Sequence, residues 1–231
     1  EGALRRQAIS RAIDREGITE TIFDGTRTPA TDFTSPVLPD HSDSLEGAEV
    51  LEYDPEEAKR LWAEAEAIAP FEGEFTISYN ADGGHQAWVD AVTNSIRNTL
   101  GIEATGNAYP DFKSLRDDVT ERTIDGAFRT GWQADYPLLS NFLGPLYGTG
   151  AGSNDSDYSN PEFDDLLKKA KGAENQEAAV DDLNAAQEIL LQDLPAIPLW
   201  YSNLTGGSSD DVGNVVFGWN QVPLYYQITK N

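Results

Sequence analysis

Apolar residues recur at helical spacing from the start of the chain. Leu4, Ala8, Ile9, Ala12 and Ile13 share one helical face, while Arg5, Arg6, Arg11 and Arg15 point elsewhere. Gly17 is expected to close that helix. From Gly25 to Val50 the period disappears and Thr, Pro, Ser and Asp dominate, which predicts an ordered loop lying over a surface. Asp54-Pro55-Glu56-Glu57 is a helix start: Asp54 can cap, Pro55 suits the first helical position, and Glu57 can complete a capping box. That helix is expected to reach Ile68 and stop before Pro70. Phe75, Ile77 and Tyr79 alternate with polar residues, so Glu74–Asn80 reads as a strand.

The pattern then repeats. Val89, Val92, Ile96 and Leu100 mark a helix with Gly101 just past its end. A short strand is expected near Ile102–Ala108, and a helix over Asp111–Thr123 with Phe112, Leu115 and Val119 inward. Gly126–Trp132 is a further strand and Leu138–Leu146 an apolar, buried helix. Asn160-Pro161-Glu162 starts a helix by the same capping logic. Val180, Leu183, Ile189 and Leu190 define the last long helix, which ends near Pro195. Beyond Asn203 the chain turns Gly/Ser/Asp-rich, then strand-like at Val215–Phe217 and Leu224–Ile228. Alternating strands and helices argue an α/β class with at least partly parallel pairing. The change near Asn203 suggests that the final stretch leaves the main body.

Composition narrows the function classes. The 231 residues carry 40 acidic and 16 basic side chains, a formal net charge of -24. Such a surface repels nucleic acid and anionic lipid headgroups, and suits salty or extracellular surroundings. The absence of cysteine removes disulfides, thiolate metal sites and cysteine nucleophiles. No apolar run approaches the ~20 residues that span a bilayer. The chain opens directly on amphipathic helix without an initiator Met, which implies a mature or excised product.

Catalytic motifs are not found. A Ser-His-Asp triad needs a histidine, and His41 and His85 are the two present. Neither lies near a nucleophile-elbow pattern, so both read as surface or cap histidines. No phosphate loop, dinucleotide fingerprint or zinc pattern occurs. Asn154-Asp155-Ser156-Asp157 lacks the central Gly and spaced Glu of a calcium loop and reads as a solvated turn before the Asn160 cap. No cofactor is expected.

The stretch Phe128–Pro137 is the informative one. It begins as a strand, breaks at Gly131, and presents Trp132, Asp135 and Tyr136 beyond the strand's carboxyl end, where open α/β sheets bind ligands. A carboxylate beside aromatic rings, with Arg129 nearby, suits a zwitterion: the carboxylate holds an ammonium and the rings exclude water. An equally open reading has Trp132 and Tyr136 filling core while Asp135 caps the next helix.

At this stretch the sequence resembles the family 5 extracellular solute-binding proteins of ABC importers, the dipeptide/oligopeptide-binding group. Leu4–Ser10 with Ala12–Arg15, then Tyr53-Asp54-Pro55 with Ala58-Lys59, Leu61 and Ala65, match that family in order. The most distinctive run is Gly131–Pro137, and Asn141–Leu143, Tyr158–Glu162, Gln187–Leu190 and Ile197–Leu199 continue the match. The resemblance implies a periplasmic-binding-protein type II-like lobe, a mixed sheet flanked by helices, in a two-lobed clamshell. Residues 1–202 would be the second, C-terminal lobe, and 203–231 a returning segment that packs on a missing first lobe. It implies solute capture without chemistry, most simply of a peptide, with an ABC permease as membrane partner and an extracytoplasmic, lipoprotein or periplasmic location. Asp135 would pair with the ligand's α-amino group, Arg129 would answer ligand charge, and Trp132 and Tyr136 would line the cleft. Leu138-Leu139 departs from the family's usual Asp-Pro, which leaves the ligand class open. An oligosaccharide or other solute is the alternative, and a carbohydrate-active enzyme a distant one.

Overall fold

The structure, a computed structural model, describes residues 1–218 and 220–231. Helices α1 (Gly2–Arg11) and α2 (Arg15–Phe23) open the chain. The break falls earlier than expected. Asp14 accepts the N–H of Gly17 and caps α2, so Gly17 lies in its first turn and does not close α1. Arg15 is buried, contrary to the outward expectation. Its guanidinium donates to the carbonyls of Ser10, Leu51 and Pro198 and to Ser10 Oγ at 2.7–2.9 Å, tying four segments together.

Helix α3 (Pro55–Ile68) starts where expected, with the Asp54 carboxylate accepting the N–H groups of Glu56 and Glu57. The capping box is not completed: Glu57 pairs with Arg60, and the Asp54 N–H donates to the Arg11 carbonyl. Helix α3 buries Ala58, Leu61, Trp62 and Ala65 against α1, where the Arg5 guanidinium lies 4.7 Å above the Trp62 ring.

A three-stranded parallel sheet follows. Its strands are β2 (Phe75–Asn80), β3 (Ala104–Tyr109) and β4 (Ala127–Phe128), in the order β3-β2-β4. Helix α4 (Gln86–Leu100) connects β2 to β3, and α5 (Phe112–Glu121) carries the chain from β3 to β4. A Cβ at Gly106 would meet Val89 of α4, whereas Tyr109 donates to Asp118 of α5. Residues 106 and 109 point to opposite faces of β3, so the two helices cover opposite faces of the sheet. Strand β4 is shorter than the expected Gly126–Trp132. Gly126, at φ +77° against Thr76, admits the chain, and the Arg129 N–H adds one more bond to the Ser78 carbonyl before pairing ends. Phe112 is 48% exposed rather than inward, while Leu115 and Val119 are buried.

Two apolar clusters result. The first joins α1–α4 and the sheet through Ile9, Ile13, Trp62, Ile77, Val92 and Ile96. The second joins α6 (Ser140–Tyr147), α7 (Pro161–Lys171) and α8 (Gln176–Asp193) around Leu143, Phe163 and Leu190. Burying a side chain such as Phe163 is worth about 1.5–3 kcal/mol. The aperiodic stretch before α3 lies over this second cluster and contributes Phe33, Leu38 and Leu45. Its short strand β1 (Arg27–Pro29) pairs antiparallel with β5 (Trp200–Ser202). Parallel and antiparallel pairing therefore both occur, in separate ladders. In α8, Leu183 and Leu190 are buried while Val180 and Ile189 are half-buried.

The tail departs from expectation. Neither Val215–Phe217 nor Leu224–Ile228 is a strand. The pairing is β6 (Val212–Gly213) with β7 (Thr229–Lys230), plus one bridge from Phe217 to Pro223. Among the described residues of 203–231 none is buried. Without an apolar layer to fix register, alternation alone does not make a ladder. No described helix is long and apolar enough to cross a membrane.

Candidate functional site

The carboxyl ends of β2 and β4 open on the same side, because the two strands run parallel. The chain leaves β2 for one neighbour and returns to the other, which makes the end of β2 a topological switch point, the usual ligand position in such sheets. Arg129 is the first residue past β4. Its Nη1 donates to Asn80 Oδ1 at 3.3 Å, and its guanidinium lies 5.7 Å from the centre of the Phe112 ring. Burial lowers its pKa, against the opposing pull of Asp82. Among the described residues no carboxylate forms an ion pair with it, in a chain of 40 acidic groups.

His85 stands at the head of α4 in the cap position, without a capping hydrogen bond. Its Nδ1 accepts the indole N–H of Trp88 at 3.0 Å. Burial, then Arg129, hold its pKa below the ordinary range, while Asp82 pulls upward. Asn80, His85, Trp88 and Phe112 thus join Arg129 at this end. The sequence signal for them was position alone: the last residue of a strand, the turn after it, and a helix start.

Trp132, Asp135 and Tyr136 lie in the loop from β4 to α6. Asp135 and Tyr136 are exposed, Tyr136 at 43%. The Asp135 N–H donates to Asn141 Oδ1 at 2.8 Å, and Asn141 is buried on α6. The carboxylate of Asp135 has neither hydrogen-bond nor ion-pair partner among the described residues. The cap reading fails, since Leu139 occupies the cap position of α6 and no side chain caps it. Trp132 is half-buried, and its indole N–H is buried without a partner among the described residues. Gln133 donates to the Asn220 carbonyl at 2.6 Å, which draws the tail to this loop. Arg129 is therefore tied to the sheet, whereas Asp135 is held by α6, and no hydrogen bond or ion pair links the Arg129, Trp132, Asp135 and Tyr136 side chains to one another among the described residues.

The remaining sequence candidates resolve structurally. The His41 side chain is 8% exposed, not on the surface, and sits 3.4 Å from Asp32 Oδ2 and from Asp43 Oδ1. The 154–157 turn is exposed at Ser156 and Asp157, as expected, but it is also pinned. Buried Asn154 donates to the Gly148 and Tyr158 carbonyls, Asp155 takes Arg116 in a two-point pair, and Asp157 takes Arg122 likewise. A hollow of about 320 Å³ opens beside Arg122 and this turn, away from Asp135. No cluster of three or more metal-ligating side chains occurs among the described residues.

Known proteins resemble this chain in sequence and fold. The family model described as bacterial extracellular solute-binding proteins, family 5 Middle, matches residues 3–154. Heme-binding protein A of Haemophilus influenzae is 30% identical over 202 residues, which cover 85% of this chain and 36% of that protein. The dipeptide-binding protein DppE of Bacillus subtilis is 24% identical over 91% of this chain and 39% of its own. The solved structure of the Escherichia coli murein tripeptide binding protein MppA superposes with a TM-score of 0.77 at 26% identity, covering 87% of this chain and 39% of that one. The chain thus spans less than two fifths of the length of these relatives. The α/β, periplasmic-binding-protein type II-like fold that the sequence predicted is the fold found. Matched over 152 of its residues, from position 3 to position 154, the chain belongs to the bacterial extracellular solute-binding proteins of family 5.

Proposed function

We propose that this chain forms one wall of the solute cleft in an ABC-importer receptor, and that the solute is a peptide held by its free amino end. One observation carries this reading: Asp135 offers an exposed carboxylate with no partner of its own among the described residues, on a backbone anchored to buried Asn141. An ammonium would supply the missing partner, and closure of a second lobe over it would exclude water and strengthen the pair. Trp132 and Tyr136 flank it as apolar walls, and Arg129 stands ready for the solute's negative charge. Relatives named for dipeptides and for murein tripeptide support the solute class.

In this reading residues 1–202 are the C-terminal lobe and 203–231 return to the other lobe. The absence of any buried side chain among the described residues of the tail, with Tyr225 and Tyr226 at 70% and 82% exposure, supports a segment whose apolar surface is covered elsewhere. The partners are then an ABC permease and the first lobe, outside the cytoplasm, as a lipoprotein or a periplasmic protein.

Calorimetry on the protein carrying both lobes tests the anchor. Asp135→Ala weakens binding of a tripeptide with a free amino end by about 2–5 kcal/mol, the cost of removing one partner of a desolvated charge pair. The N-acetylated tripeptide binds wild type as poorly as the variant binds the free one. An unchanged dissociation constant retires Asp135. A relative named for heme makes that porphyrin the rival solute. Heme binding without peptide binding would replace the peptide reading.

A further inference from the structure

At the head of α4 a buried indole and an imidazole are locked together. Trp88 is 7% exposed and is held edge-on against Trp200, ring centres 5.2 Å apart, so its N–H has one fixed direction. That N–H meets His85 Nδ1 at 3.0 Å. A neutral imidazole has one donor and one acceptor nitrogen, so an occupied Nδ1 acceptor leaves the proton on Nε2. Nε2 lies over Gly83, where any Cβ would overlap it, and glycine keeps that nitrogen uncovered. Protonating the ring would turn Nδ1 into a donor facing a donor. Arg129 and the amino end of the 15-residue helix α4 oppose the added charge, while Asp82 favours it.

We propose that Trp88 is a positioning residue of the site: its indole N–H fixes His85 as the neutral Nε2–H form, so that the carboxyl end of the sheet presents a hydrogen-bond donor that carries no charge, beside Arg129, to an acceptor oxygen of the solute. The use of that donor rests on the solute-binding reading above; the fixed tautomer does not. Arg129 then supplies the only full positive charge of this pair. Burial, then Arg129, shift the His85 equilibrium towards this uncharged donor, against the pull of Asp82.

Ring-nitrogen NMR on the 231-residue chain tests this directly, since His41 and His85 are its two histidines and His41→Gln assigns them. Wild-type His85 shows a single Nε2–H tautomer and a titration midpoint below the ordinary ~6.5. Trp88→Phe keeps an aromatic ring but removes the donor; the tautomers mix and the midpoint moves up. A wild-type His85 that carries its proton on Nδ1, populates both tautomers or titrates at the ordinary midpoint overturns the proposal, as does a folded Trp88→Phe protein that behaves like wild type. Should that variant not fold, Arg129→Gln serves: His85 stays Nε2–H while its midpoint rises, and a change of tautomer there also overturns the proposal. Peptide added to the protein with both lobes separates the two readings. If calorimetry shows peptide binding while the His85 resonances stay unmoved, the proposed donor role is overturned and the solute reading stands; if no peptide binds, the solute reading falls and only the fixed tautomer remains.

Discussion

Asn141 Oδ1, buried on α6, accepts the backbone N–H of Asp135 at 2.8 Å. This bond holds the proposed anchor to the second apolar cluster, while Arg129 is held by the sheet of the first. Asn141→Ala therefore costs about 1 kcal/mol in chemical denaturation, the usual net value of one hydrogen bond. Hydrogen exchange at the Asp135 amide accelerates in the same variant. Unchanged exchange there would show that the loop does not depend on α6.

Arg15 makes the largest single contribution of a polar residue that we expect. Burial pushes its pKa down to about 9, and its hydrogen bonds are to uncharged oxygens. Arg15→Met strands several buried acceptors at about 1–3 kcal/mol each, so the loss exceeds about 3 kcal/mol. Arg15→Lys, which has no planar fork, recovers less than half of it. Thermal denaturation of both variants checks the order.

The Arg116–Asp155 pair fastens α5 to the turn before α7, with Nη1 2.6 Å from Oδ2 and side chains 33% and 16% exposed. A double-mutant cycle with Arg116→Met and Asp155→Asn should give a coupling of about 1 kcal/mol, the upper end for partly exposed pairs. The coupling shrinks in high salt. A coupling that grows with salt would exclude an electrostatic origin.

Acid should destabilise the fold through His85. Its folded pKa is depressed, so the unfolded chain binds more protons as the pH falls through ~6.5. Stability that is complete above that value is lost below it, down to the folded midpoint. His85→Gln flattens this part of the stability-against-pH curve. A wild-type curve that rises between pH 7 and pH 5.5, or a variant curve as steep as wild type, would count against the assignment.

Net charge sets the response to salt. At -24 the carboxylates repel one another across the surface, and screening relieves this within a Debye length of about 3 Å at 1 M. The melting temperature rises as NaCl is increased from 0.05 to about 1 M. A fall over that range would mean that the ion pairs outweigh the repulsion.

Local chemistry was legible wherever it acts within a few residues. Asp54 and Asn160 cap the helices their spacing announced, and Gly101 ends α4 at φ +70°. The misreadings share a cause. Gly17 suggests a stop because a glycine often is one, yet Asp14 three residues earlier supplies a start. The period points Phe112 inward, but Arg129, and not core, lies beside its ring. The tail strands rest on alternation that no apolar layer fixes.

By itself the sequence determined the alternation of helices and strands, the α/β class, and the run from Arg129 to Tyr136 as the place to look, because periodicity, capping and turn chemistry depend on near neighbours. Tertiary structure alone decided which distant groups complete that place. Asn80, Phe112 and His85 reach Arg129 only through the order β3-β2-β4, and Asn141 reaches Asp135 only once α6 packs. Parallel strands are paired across whole helices, so their contacts follow from how those helices cover the sheet and from no local signal in the chain.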